Sequence, residues 1–150
     1  MNRCKASQYR QENVDNLIWR VIKLFIKHKR QILERFALTC PQYEILSALY
    51  YYSDNKTEIY QIDLSERTEI DPLTTSIILR GFQEKGLITL HHNSMDTHIV
   101  IVEFTETGVE LFENVSKQMK KLTDHVYQGI NMDRLIPQLI KLSDKFNNLI

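Results

Sequence analysis

Three histidines crowd one short stretch of this chain, His91, His92 and His98, a residue type that can hold a metal ion. Successive residues of an extended strand point to opposite faces, so His91 and His92 do not easily chelate one ion. No Cys or carboxylate stands beside them at a ligand spacing. Solvated histidines are the expectation, with no metal and no cofactor. Cys40 falls at what reads as a helix start, where a thiolate is favoured, while Cys4 has no evident resolving partner. Two cysteines are too few for a disulfide scaffold and suit a reducing compartment. Trp19, Phe36, Tyr50, Tyr51 and Tyr52 are aromatic residues that suit either a small aromatic ligand or plain packing at a junction. No nucleophile–base pair, phosphate-binding glycine loop or paired-carboxylate motif is present, and an enzyme is not expected.

The elements that must position these residues are mostly helical. Apolar residues recur at helical spacing at Val14, Leu17, Ile18, Val21, Ile22, Phe25, Ile32, Leu33 and Phe36, predicting a helix over about 12–36. Leu24 and Ile26 widen the stripe, so this helix either buries a second side against a partner or has one generous core face. Thr39 and Pro41 open a second helix, and a short third runs from about Ile59 to Arg67, with Ile62 and Leu64 as core contacts. Asp71-Pro72 reads as the cap and first turn of a fourth helix that stops at Gly86. Its pattern puts Thr75, Ile78, Leu79 and Phe82 on one face and Leu73, Ser76, Ile77 and Arg80 on the other. Two strand-like runs then flank the turn Asn93–Asp96 and make a hairpin. Thr105 caps a long helix, and Asn131 caps a last one that contains an awkward Pro137.

At 150 residues with 43% apolar composition, one domain with a real core is expected. No run approaches the ~20 apolar residues of a membrane span, and the polar first fifteen residues lack a secretion-signal core, so a cytoplasmic location with no membrane partner is expected. The net charge of zero is unevenly spread. Residues 1–36 hold nine Lys/Arg and three Asp/Glu, whereas residues 37–104 hold four and ten.

The order of elements is that of a winged helix-turn-helix, and several fragments sharpen it. Leu38-Thr39 with Pro41-Gln42, the run Thr74–Arg80, Glu84-Lys85-Gly86-Leu87-Ile88, Asp96-Thr97-His98 and Phe104-Thr105-Glu106-Thr107-Gly108 stand in register. In this order and spacing the chain resembles the MarR family of bacterial transcriptional regulators. The resemblance implies a mainly α fold with a small β-hairpin, in one domain over 1–150. A winged lobe at about 37–104 would lie between dimerisation helices at about 12–36 and 105–150. It implies a homodimer that places the helix from Asp71 in the major groove of a pseudo-palindromic double-stranded DNA operator. It also implies loss of DNA affinity when a small aromatic or phenolic ligand, an oxidant or a metal engages the protein. On this basis Leu73, Thr75, Ser76, Ile77, Arg80, His91, Asp96 and His98 are the candidate DNA-binding residues, and Trp19, Phe36, Tyr50 and Tyr51 the candidate ligand residues.

The departures from the family pattern matter as much. The family has an arginine two residues after the wing aspartate and another on the first wing strand, and here those positions hold His98 and Leu90. An Asp96–His98 pair imitates the first only when the imidazole is protonated. Arg80 is the sole cation on the outward face of the fourth helix, and the lobe is acidic where nucleic-acid-binding motifs are normally basic. Ile77 could meet a thymine methyl, make a protein contact, or sit at the edge of the core, the last being the expectation. Two function classes therefore stay open from sequence: a DNA-binding regulator, and a winged-helix dimer turned to protein interaction.

Overall fold

The computed structural model describes the backbone of residues 3–149 and the side chains of residues 13–149. The order is α1 (Arg3–Glu34), α2 (Cys40–Ser53), α3 (Gln61–Thr68), α4 (Pro72–Glu84), β1 (Ile88–His92), β2 (Val100–Phe104), α5 (Glu106–Val126) and α6 (Met132–Asn147). The first helix thus starts well before the expected residue 12. Residues 3–12 are rich in Arg, Lys, Ala, Gln and Glu, which favour helix without adding apolar periodicity. The Cys4 side chain lies outside the described residues.

The chain forms two compact units that divide after Ser116. The first holds the winged lobe. Its core is built from Leu33, Leu38, Ile45, Leu46, Leu49, Leu64, Leu79, Phe82, Ile88, Val102 and Val115. α2 begins with a reciprocal cap: the Gln42 N–H donates to the Thr39 hydroxyl at 3.3 Å, and the Thr39 N–H donates to the Gln42 side chain at 2.9 Å. Ile62 is exposed, contrary to its expected core role. It stands two positions before the buried Leu64, which on an α-helix is nearly the opposite face. The wing strands pair antiparallel from Ile88↔Phe104 to His92↔Val100. An isolated bridge joins Tyr60 to Ile101, and the Val102 N–H donates to the Ile59 carbonyl at 2.8 Å, so the segment before α3 lies against the outer side of β2.

One junction ties the end of α4, the base of the wing and the start of α5. Gly86 takes a left-handed φ of 73°, and the Leu87 N–H donates back to Phe82 at 2.9 Å, closing α4. The Thr105 hydroxyl donates to the Gly86 carbonyl at 2.6 Å and accepts from the Gly108 N–H at 3.1 Å. The Thr105 N–H donates to the Leu87 carbonyl at 3.0 Å. α5 passes so close that a Cβ on Gly108 would stand 2.0 Å from the Leu87 carbonyl oxygen.

The second unit, residues 117–150, comprises the last part of α5 and α6. Asn131 caps α6 by accepting from the Arg134 N–H at 3.1 Å, and the helix continues past Pro137 to Asn147. Ile136, Leu139, Ile140, Leu142 and Phe146 are all exposed. Among the described residues no helix is long and apolar enough to cross a membrane.

Gly108→Ala is expected to destabilise the protein by about 1–3 kcal/mol, because the Leu87 backbone must move. Gly81, inside α4 with nothing within 4 Å of a built Cβ, is the opposite case. Gly81→Ala should stabilise by about 0.5–1 kcal/mol. Thermal or urea unfolding of the two variants checks both signs.

Candidate nucleic-acid interface

α4 is positioned by its cap and its buried face. The Asp71 carboxylate accepts from the Thr74 N–H at 2.8 Å and from the Thr74 hydroxyl at 2.6 Å, and Pro72 occupies the first turn. These hydrogen bonds, the hydroxyl's first, hold the Asp71 carboxyl below the usual range. Thr75, Leu79 and Phe82 are buried and fix the helix against the lobe. The turn before α4 is tied by the Ser65 hydroxyl, which donates to the Ile70 carbonyl at 2.6 Å.

Of the residues expected on DNA, Leu73, Ile77 and Arg80 are exposed on one side of α4, with Ser76 half-buried between them. Thr75 is a correction. It is 0% exposed, and its hydroxyl donates to the Ile70 carbonyl at 3.3 Å, so it holds the helix in place and cannot touch a ligand. Ile77 is 56% exposed, which removes the core-edge alternative. Among the described residues no carboxylate lies within ion-pair distance of Arg80.

The wing carries the remaining expected residues, all exposed. His91 faces Glu103 across the strands at 3.5 Å, and His92 Nδ1 lies 2.8 Å from the Thr97 carbonyl. The second contact needs the proton on Nδ1. Asp96 accepts from the backbone N–H of His98 at 3.0 Å, so its carboxylate shapes the turn. The Asn93 side chain accepts from the N–H groups of Met95 and Asp96 and completes that tip.

Two cations of the lobe are engaged elsewhere, a fact without a signal in the sequence. The Arg67 guanidinium lies 3.5 Å above the Tyr51 ring, and Lys56 pairs with Asp63 at 3.0 Å while lying over Tyr52. Tyr50 turns to other partners. Its ring packs 4.6 Å from Phe112, and its hydroxyl donates to Glu113 at 3.3 Å. The Glu113 charge, then partial burial, raises its phenol above the ordinary range. Tyr43 stacks on the same Phe112 ring at 5.8 Å. Trp19 is exposed on α1 beside Lys23, and Phe36 is half-buried at the end of α1. The four aromatic residues expected at a ligand site therefore have separate surroundings. A cleft of about 340 Å³ lies elsewhere, between Tyr60, Ile62 and Ser65 of the α3 region, Pro72, and His98 to Val100 of the wing.

This arrangement defines a class: a winged helix-turn-helix with an outward-facing fourth helix. Solved structures share it. BpsR of Bordetella bronchiseptica, whose DNA binding is regulated by 6-hydroxynicotinic acid, superposes with a TM-score of 0.72 at 23% identity, over 87% of this chain and 93% of that one. A MarR-family transcriptional regulator from Rhodococcus sp. RHA1 gives 0.71 at 15% identity, over 88% and 91%. By sequence, the HTH-type transcriptional regulator YdgJ of Bacillus subtilis is 25% identical over 107 residues, which are 69% of this chain and 63% of that protein. The match thus spans less than two thirds of that relative. No protein-family model matches the chain. The fold is that of the MarR-family winged-helix proteins. Of these similar proteins, the Rhodococcus protein and YdgJ are transcriptional regulators.

Because the folded Asp71 carboxyl is depressed, its contribution to stability is full above the unfolded aspartate range of about 3.9 and is lost as pH falls through the lower folded value. Asp71→Ala should lower the melting temperature at neutral pH, Asp71→Asn should retain most of the cap, and the gap between wild type and Asp71→Ala should close in strong acid. Melting curves of the three proteins across pH test this.

Proposed function

We propose that the protein is a cytoplasmic, homodimeric DNA-binding transcription regulator. Each subunit lays α4 into the major groove of a pseudo-palindromic operator and sets the wing on the adjacent backbone or minor groove. The observation that carries this reading is the division of α4. Thr75, Leu79 and Phe82 lock one face into the lobe, and Leu73, Ser76, Ile77 and Arg80 are presented on the other. Control by a small aromatic ligand is supported by the likeness to BpsR, a protein regulated by 6-hydroxynicotinic acid. Arg80→Ala should weaken operator binding by about 1–3 kcal/mol if the side chain reads a base, or lower the salt slope by about one if it holds phosphate. His98→Arg restores a wing cation and should tighten binding at neutral pH. Gel-shift titrations at several salt concentrations check both variants. If both are silent, the protein-interaction reading, favoured by the acidic lobe, replaces this one.

Dimerisation is supported by the apolar surface of the terminal helices. Val14, Leu17, Ile18, Trp19, Val21, Ile22, Leu24, Phe25 and Ile26 of α1 are exposed, and α6 has no buried residue. A single subunit leaves more apolar surface than a soluble monomer normally shows. An isologous two-fold contact through these helices would cover it. Full-length protein should sediment as a dimer at micromolar concentration, and residues 37–112 alone should be monomeric or insoluble. A full-length monomer would overturn the proposal.

A further inference from the structure

The exposed face of α4 is aliphatic where a reading helix is expected to be polar. Leu73 is 69% exposed and Ile77 is 56% exposed. They stand four residues apart, one helical turn, and are followed at the same spacing pattern by Arg80. Neither belongs to the core, and both sit on a helix whose opposite face is locked by Thr75, Leu79 and Phe82. An aliphatic side chain has one feature to recognise in the major groove, the C5-methyl group of thymine. We propose that Leu73 and Ile77 read thymine methyls, so that each operator half-site is specified by two thymines beside the position met by Arg80. This deepens the DNA-binding reading and rests on it.

Three physical points support the assignment. Leu73 lies in the first turn of α4, and the N-terminal residues of a recognition helix are the ones that reach base edges. Ile77 is β-branched, so on a helix its side chain holds one strongly preferred rotamer and meets a methyl with little loss of freedom. The two stand about 6 Å apart along the helix, from the α-helical rise, which is enough for each to face its own base pair. Two side chains interrupted by Ser76 and followed by a cation also make a poor protein-docking face. A specific protein interface covers ~800 Å² on each partner.

The test uses the full-length protein and DNA alone. Sites are selected from random duplex DNA, and the selected thymines are then replaced by deoxyuridine, which removes only the methyl group and keeps the base pair. Selected half-sites should share two thymines at separate base pairs. Loss of each contacted methyl should weaken binding about fourfold. In Ile77→Ala the uridine replacement at one thymine should become silent while the other stays sensitive, and Leu73→Ala should show the reverse. Both variants alter exposed positions and should keep the wild-type circular dichroism. Wild-type affinity that is indifferent to every uridine replacement would overturn this inference and leave the DNA-binding reading standing. The same holds if both alanine variants keep the wild-type sensitivity. Failure to retain any DNA would overturn both.

Discussion

The Thr105 hydroxyl stands between the Gly86 carbonyl and the Gly108 N–H, and the geometry of the winged lobe depends on it. Through that one side chain the last turn of α4, the entry to β1, the exit from β2 and the first turn of α5 share a single point. Gly86 lets the chain reverse, Gly108 lets α5 approach the Leu87 carbonyl, and the Thr105 N–H satisfies that same carbonyl at 3.0 Å. The Gly86 and Leu87 carbonyls just past the end of α4 and the Gly108 N–H in the first turn of α5 are all met by Thr105. A reading helix has to hold a fixed angle to the wing beside it. Here the junction is held by the Thr105 hydroxyl and by backbone hydrogen bonds, which leaves the outward side chains Leu73, Ile77 and Arg80 of α4 free of that duty.

That separation explains how α4 can carry Leu73 and Ile77 in water. The helix is held by its Asp71 cap, by Thr75 on the Ile70 carbonyl and by the burial of Leu79 and Phe82, so its exposed face need not contribute to folding. The same logic applies to the wing tip, where Asn93 and Asp96 accept backbone N–H groups and fix the turn. Asp96 serves that turn rather than the imidazole of His98. The carboxylate therefore does its work whether His98 is neutral or charged.

What could be read in the sequence was whatever is decided within about four residues. Thr39, Asp71 and Asn131 as caps, Gly86 as a stop and the buried and outward faces of α4 follow from side chains meeting their own backbone. Relations set by distant residues were not legible. Tyr51 and Tyr50 are neighbours in sequence, yet one lies under Arg67 and the other packs on Phe112, because successive helical positions differ by about 100°. The strand-like contact of Ile59 and Tyr60 with β2 had no alternating pattern to announce it. The seating of Arg67 over Tyr51 and the pairing of Lys56 with Asp63 likewise join residues that no local pattern links. α1 starts earlier than its apolar periodicity implies, because residues 3–12 favour helix by propensity alone. Thr75 shows the limit of carrying positions over from a family pattern: it sits in the right motif and faces the core.

The charge distribution bears on how such a lobe could hold DNA. With Arg67 and Lys56 engaged, and ten carboxylates against four cations over residues 37–104, few phosphate contacts are available to it. Each neutralised phosphate contributes about 0.9 to the steepness of the salt dependence, so a thin set of contacts means weak non-specific binding as well as weak specific binding. Weak heads of this kind gain most from being paired. In a homodimer of the proposed kind, once one half-site is engaged the second would bind at the effective concentration set by the link between subunits, and the product of two modest affinities becomes useful. On the proposed reading, the apolar surface of α1 and α6 and the sparse charge of α4 are parts of one arrangement. The terminal helices supply the pairing, and discrimination is left to contacts such as Leu73 and Ile77 that salt does not screen.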